Sequence, residues 1–354
     1  MGNAQPIRFA DYWLMRRIGL GATAEVFVAR QRGRDAGQEP VALKRLLPPL
    51  AQDPEIVKLF LREIKAMQRI DHANVAPLLD HGTCADLPFL VLPWYDGASL
   101  RQLLRHNSAL QGSAPALTPE QAVWIAKEIA QGLGAAHAQG VVHRDVTPTN
   151  VQITGQGHVI VLDFGIARVA GLAQTTQGQA LRGKWAYLSP EQLAGGAIDG
   201  RSDLFALGSV LWEMITGTPP FQGSDPHDTM ARVEATKLPE IAKDTPISLR
   251  PIWTSLTQLL AQKPQDRPAH AEAVVLGWQQ WLDQCGVQES EIVSEIARIA
   301  RAAAPMPTPQ DLHEAAELRG EAVTSPELDP DATQVRASAS HSGSNAEGSG
   351  NALA

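Results

Sequence analysis

An α+β fold in two lobes is what this sequence predicts, and two observations predict it. Residues 12–94 read as short β-branched runs punctuated by glycine, with one helix among them. After "WYDGASL" the apolar spacing turns helical and stays so to about residue 282. Strands first and helices second argue for segregated layers rather than an alternating parallel sheet.

The predicted strands are "WLMRRIGL", "AEVFVAR", "PVALKRLL", "APLLDHG" and "PFLVLPW". The helix among them begins at Asp53-Pro54, where aspartate caps the first free N–H groups and proline needs no amide partner at the first position. In "LTPEQAVWIAKEIAQGLGAAHAQG", Thr118 at N-cap, Pro119 at N1 and Gln121 at N3 form a capping box. Ala122, Ile125, Ile129, Leu133 and Ala136 then share one face, and Gly140 ends the helix. "SDLFALGSVLWEMITG" is apolar nearly all round and predicts a buried helix.

These patterns divide the chain into an N-terminal extension (1–11), a strand-rich lobe (12–94), a helical lobe (95–282), an amphipathic helical extension (283–304) and a tail (305–354). The extension puts Ile292, Ile296, Ile299 and Ala303 on one stripe, suited to docking on the domain or to binding a partner. The tail is rich in Pro, Ser, Gly, Ala and acid, and its composition predicts disorder.

Of 38 acidic and 30 basic residues, 12 and 4 lie from Trp281 onward, leaving 26 of each before it. A formally neutral folded part excludes the basic surface of a nucleic-acid binder. Cys84 and Cys285 are too few for a disulfide framework or metal cluster and read as reduced thiols. No basic segment followed by an apolar run opens the chain, "MGNAQP" has proline where myristoylation needs a small hydroxyl residue, and no run of about 18 apolar residues exists. A cytoplasmic protein without a membrane span is expected.

Four stretches carry chemistry. In "IGLGATAEVFVAR", Gly19 and Gly21 lie between two strands, where missing Cβ atoms let backbone N–H groups approach phosphates; a plain turn is the alternative. A strand follows them, which excludes the dinucleotide fingerprint. In "VALKRLL", Lys44 sits on a strand. The following helix places Glu63 on the apolar face of Ile56, Phe60 and Met67, where a carboxylate needs a partner; Lys44 is the candidate. In "HRDVTPTN" and "VIVLDFG", Asp145 precedes Asn150 by five residues and Asp163 ends an apolar run. Asn150 and Asp163 supply oxygens that suit Mg²⁺, with Mn²⁺ an alternative, while Asp145 suits accepting a proton from an attacking hydroxyl.

In this order the motifs closely resemble those of the bacterial eukaryotic-like serine/threonine protein kinases, over about residues 10–282: the glycine loop, "VALK", "HRD…N", "DFG" and "SPE" at Ser189-Pro190-Glu191. The resemblance implies a two-lobed protein-kinase fold, with an antiparallel N-lobe sheet carrying one helix and a mainly helical C-lobe. It implies a non-specific serine/threonine kinase using ATP and Mg²⁺ on protein substrates, because the tyrosine-branch catalytic-loop sequence is absent. It also implies that Asp203 braces the catalytic loop and that Arg267 pairs with Glu191. In "LVLPWYDG", Leu92 is the implied gatekeeper, the Pro93 carbonyl and Tyr95 N–H bond the adenine, and Asp96 approaches the ribose. Ile18 lines the nucleotide pocket, and Val26 and Ala42 form its ceiling. Met67, Leu78, His143 and Phe164 take the positions of the hydrophobic spine.

Four residues depart from that pattern. Ala24 replaces the third loop glycine, and Gln152 stands where an apolar adenine floor is usual, its amide expected to turn outward. Thr147 replaces the catalytic-loop lysine, and Lys184 replaces the threonine that follows the glycine in "LRGKWAYLSPE". An exchange is one reading: Lys184 supplies the ammonium and Thr147 the hydroxyl. Lys184 facing solvent or substrate is the other. A scaffold that binds nucleotide or partners without turnover is the alternative function. By the same resemblance Arg144 receives an activation-loop phosphate, with Thr175 and Thr176 as candidate sites and Thr176 the better placed. Thr333 in "PDATQVRA" resembles phosphothreonines read by forkhead-associated domains.

Overall fold

The computed structural model describes residues 6–33, 39–111, 117–164, 184–240 and 247–304. The expected tail, Thr175, Thr176 and Thr333 lie outside them. The first lobe is a six-stranded antiparallel sheet in the order β1-β2-β3-β4-β6-β5: β1 (Ile7–Phe9), β2 (Tyr12–Leu20), β3 (Ala24–Gln31), β4 (Val41–Leu46), β5 (Asp80–Cys84) and β6 (Leu87–Pro93). Its alternation builds two faces. Phe27, Leu43, Phe89 and Val91 pack with Phe9, Tyr12 and Leu14 on one side. On the other, Leu46 and Leu90 pack against helix α1 (Pro54–Met67) through Ile56, Phe60, Ile64 and Met67. Asp53 caps α1 as expected, accepting from the Glu55 N–H.

Within the N-terminal extension, residues 7–9 form the edge strand β1, held by Phe9 edge-on against Phe89 at 5.5 Å and by the Arg45 guanidinium over the Phe9 ring. One expectation is corrected here. The stretch "APLLDHG" becomes a strand only from Asp80. Upstream, the Asn74 carbonyl and Ala76 N–H bond Val161 across the lobes, so this segment's backbone is committed elsewhere.

The second lobe begins with β7 (Gly97–Ser99), which pairs with β8 (Val151–Thr154); β8 pairs with β9 (Val159–Val161) in a small three-stranded sheet. Around it lie α2 (Leu100–Gln111), α3 (Pro119–Ala138), the short α4 (Pro190–Leu193), α5 (Gly200–Thr216), α6 (Pro226–Ala235), α7 (Arg250–Leu259), α8 (Ala271–Cys285) and α9 (Glu289–Ala303). The capping box on α3 forms in both directions. Helix α5 is buried from Ser202 to Ile215, including Asp203 and Glu213, which places two carboxylates where only hydrogen-bonded partners can offset desolvation. Helix α9 docks through its stripe: Ile292, Ile296 and Ile299 are buried, Ala303 is half-buried, and Ala300 is buried beside them. Among the described residues no helix is long and apolar enough to cross a membrane, and Cys84 and Cys285 are free thiols.

Candidate active site

The cleft between the lobes collects the predicted residues. Lys44 projects from β4, and its Nζ donates to Glu63 Oε1 at 2.8 Å and to Asp163 Oδ1 at 2.9 Å. The helical register of α1 puts Glu63 on the buried face, so the pair forms inside the lobe. Burial alone would pull the Lys44 ammonium down, but the Asp163 and Glu63 carboxylates outweigh it and hold its pKa well above the ordinary value. Glu63 is pushed up, chiefly by burial, with Lys44 opposing. For Asp163, burial pushes the same way, but its contact with Lys44 wins and lowers it. The Asp163 side chain keeps 40% of its surface open to the cleft.

Asp145 lies in the loop before β8. Asn150 Nδ2 donates to its carbonyl at 2.8 Å and to its Oδ2 at 3.0 Å. This loop is fixed from below: Asp203 on α5 accepts from the backbone N–H of His143 at 2.8 Å and of Arg144 at 2.7 Å. His143 Nδ1 accepts from the Asp145 N–H, so its Nε2 carries the proton and donates to the Leu162 carbonyl at 2.8 Å. The His143 ring lies tilted against Phe164 at 4.7 Å, and Met67, Leu78 and Phe164 share one cluster. Arg144 and Asp163 both have left-handed backbones, φ 67° and 51°, a conformation L residues keep only where the surroundings enforce it.

Among the departures, Lys184 meets Asp145: its Nζ lies 2.9 Å from Asp145 Oδ2. Thr147 is buried in the same loop, its hydroxyl 2.8 Å from that of Thr149. Gln152 is corrected. Its amide turns toward the segment joining the lobes, donating to the Tyr95 carbonyl at 3.3 Å.

That segment follows β6. Leu92 is buried opposite Ala42, while Pro93 and Tyr95 are half-buried and Asp96 is exposed. Val26 pairs with Lys44 and with Gly19, and Ile18, Gly19, Val26 and Ala42 are all half-buried. The Gly21 N–H closes the loop on the Ala24 carbonyl at 2.8 Å.

The sequence did not disclose the buried polar network that lies just past Lys184. Tyr187, three residues on, gives its hydroxyl to Glu213 at 2.5 Å, and Arg101 on α2 donates to both Glu213 and the Tyr187 oxygen. Burial, first, and then Glu213 raise the Tyr187 pKa, so its proton stays available to this buried network. A glutamate deep in a largely apolar helix was the available signal. Between α1 and residues 140–144, a cavity of about 500 Å³ is lined by Arg62, Lys65, Arg69 and Arg144. The Arg144 Nε is buried there without a hydrogen-bond partner among the described residues. The Arg267–Glu191 pair forms as a fork, at 2.7 and 2.9 Å.

A two-lobed fold with a lysine–glutamate–aspartate contact above an aspartate–asparagine loop defines a protein kinase. The family model for protein tyrosine and serine/threonine kinases matches residues 13–275, and the chain belongs to that family, among its bacterial eukaryotic-like serine/threonine members. It is 34% identical to serine/threonine-protein kinase PkaA of Streptomyces coelicolor over 314 residues, covering 85% of this chain and 55% of that protein. With PknB of Mycobacterium leprae it shares 35% over 258 residues, 71% of this chain and 39% of that one. The chain thus spans about half the length of these relatives or less. The crystal structure of the Mycobacterium tuberculosis PknI kinase domain matches with TM-score 0.59 and 26% identity over 79% of this chain and 100% of that one. Helix α9 lies beyond the matched family region.

Proposed function

We propose that this chain transfers the γ-phosphoryl group of ATP to serine or threonine hydroxyls of proteins. The observation that carries the reading is the Lys44 ammonium gripped between Glu63 and Asp163, a cation built to be held rather than solvated. Asp145 orients the hydroxyl and takes its proton as oxygen attacks phosphorus; the bond to the bridging oxygen breaks and ADP leaves. Lys44 orients the phosphates of the bound nucleotide. Lys184 faces the same centre from beside Asp145 and offers positive charge to the transferring group. The donor set suits Mg²⁺: Asn150 spends its nitrogen on Asp145, leaving its amide oxygen, and Asp163 gives one oxygen to Lys44, leaving the other. When bound there, the ion supplies charge neutralisation at the phosphate oxygens.

Intact mass after incubation of phosphatase-treated protein with Mg²⁺-ATP tests this, beside Asp145→Asn. Stepwise gain of phosphate by the wild type alone is expected. No gain by either, on itself or on generic protein substrates, with nucleotide still bound, would identify a scaffold instead.

The finer reading is activation by phosphate. Arg144, with Arg62, Lys65 and Arg69 around the same cavity, suits a phosphothreonine dianion from Thr175 or Thr176. Replacing both threonines by alanine is expected to lower activity about tenfold, a loss comparable to one charge-assisted bond; equal rates would remove the idea. Mapping the phosphates gained in the same reaction tests Thr333, whose modification would suit a forkhead-associated partner. Cytoplasmic signalling completes the proposal.

A further inference from the structure

Helix α9, outside the matched family region, is joined to the nucleotide side of the cleft by a short line of hydrogen bonds. The Arg301 guanidinium, in its last turn, donates to the Gly155 carbonyl. The Gly155 N–H donates to the Asp96 carbonyl at 2.8 Å. Asp96 follows Tyr95, whose carbonyl receives the Gln152 amide at 3.3 Å. A Cβ on Gly155 would lie 3.4 Å from Arg301 Cγ and 3.7 Å from Asp96 Oδ2, so the arginine stem and the Asp96 carboxylate meet over one backbone position.

The contact is built, not incidental. Gly157 in the β8–β9 turn has φ +91°, and a Cβ there would lie 2.6 Å from the Val293 carbonyl of α9. Only glycine lets the helix come that close. At the other end Trp124 Nε1 donates to Glu289 at 3.2 Å, and between them Ile296 and Ala300 are fully buried. Arg301 is thereby set against the Gly155 carbonyl by the packing of the whole helix.

We infer that Arg301 is a positioning residue for the nucleotide site, holding Asp96 and the segment after Tyr95 through Gly155. The inference rests on the kinase reading, in which Asp96 faces the ribose. Its consequence is that α9 sets nucleotide affinity from outside the catalytic core.

Calorimetric titration of the full chain with Mg²⁺-ADP tests it. Arg301→Ala is expected to weaken binding about three- to tenfold, the effect of one ordinary hydrogen bond transmitted through Gly155, and Arg301→Lys to recover most of it. KM for ATP should rise in the same proportion with kcat unchanged. In an Asp96→Ala background the Arg301→Ala effect should fall below about twofold, since residues acting through one another are not additive. Should Arg301→Ala not fold, Arg301→Gln carries the same comparison. Unchanged affinity, or equal losses in both backgrounds, overturns the inference. Wild type that binds Mg²⁺-ADP but transfers no phosphate overturns the catalytic reading while leaving this one intact on affinity; wild type that binds no Mg²⁺-ADP overturns both.

Discussion

Lys184→Met is expected to lower phosphoryl transfer about 10²–10³-fold, the loss that follows removal of one preorganised donor from a developing charge. The catalytic loop brings no lysine of its own, because that position is Thr147, whose hydroxyl pairs with that of Thr149. The ammonium that lies 2.9 Å from Asp145 comes instead from Lys184. Its side chain is half-buried, and its carbonyl accepts from the backbone N–H of Tyr187, whose own side chain is locked to Glu213 and Arg101. A cation that stabilises charge only as it develops should act on kcat and leave KM for ATP nearly unchanged. Adding Thr147→Lys to Lys184→Met should recover part of the rate by returning the charge to the loop. Turnover of Lys184→Met equal to wild type would show that Lys184 serves solvent or substrate, and the exchange would be abandoned.

What the sequence could disclose was local. Asp53 and Thr118 cap their helices because a cap needs only residues two or three places away, and Glu63 announced its partner because helical spacing put a carboxylate on an apolar face. The kinase motifs were legible for the same reason, each being a short run with its own geometry. What could not be read depends on distant neighbours. Gln152 finds the Tyr95 carbonyl across 57 positions, and Arg301 finds Gly155 across 146. Strand β1 is three residues long and gains its stability from Phe89, so no periodicity marks it. Thr147 shows the limit most directly: its replacement of lysine was visible, but its hydroxyl's choice of Thr149 required the folded turn.

Arg267→Met is expected to destabilise the protein by about 3–5 kcal/mol, the cost of leaving a buried charge without its partner. The Arg267 side chain is fully buried and forks onto both oxygens of Glu191, which also accepts from Ser202 at 2.5 Å. The arginine further donates to the carbonyls of Ala261, Arg201 and Gln262, so one side chain ties α4, α5 and the turn after α7 together. At roughly 2–4 °C per kcal/mol for a domain of this size, the thermal midpoint should fall by about 6–20 °C. The loss has a pH signature. Burial pushes the Glu191 carboxyl up, but its bonds from Arg267 and Ser202 outweigh burial and hold it below its ordinary value of 4.5. The folded state therefore favours the carboxylate. Its contribution is complete above the ordinary value and is lost as pH falls through the depressed one. Denaturant melts at pH 7 and pH 4 should show the gap between wild type and Arg267→Met narrowing toward acid. A gap of the same size at both would mean that the arginine stabilises through its three carbonyl contacts and the Phe205 ring it covers at 4.7 Å, with Glu191 a bystander.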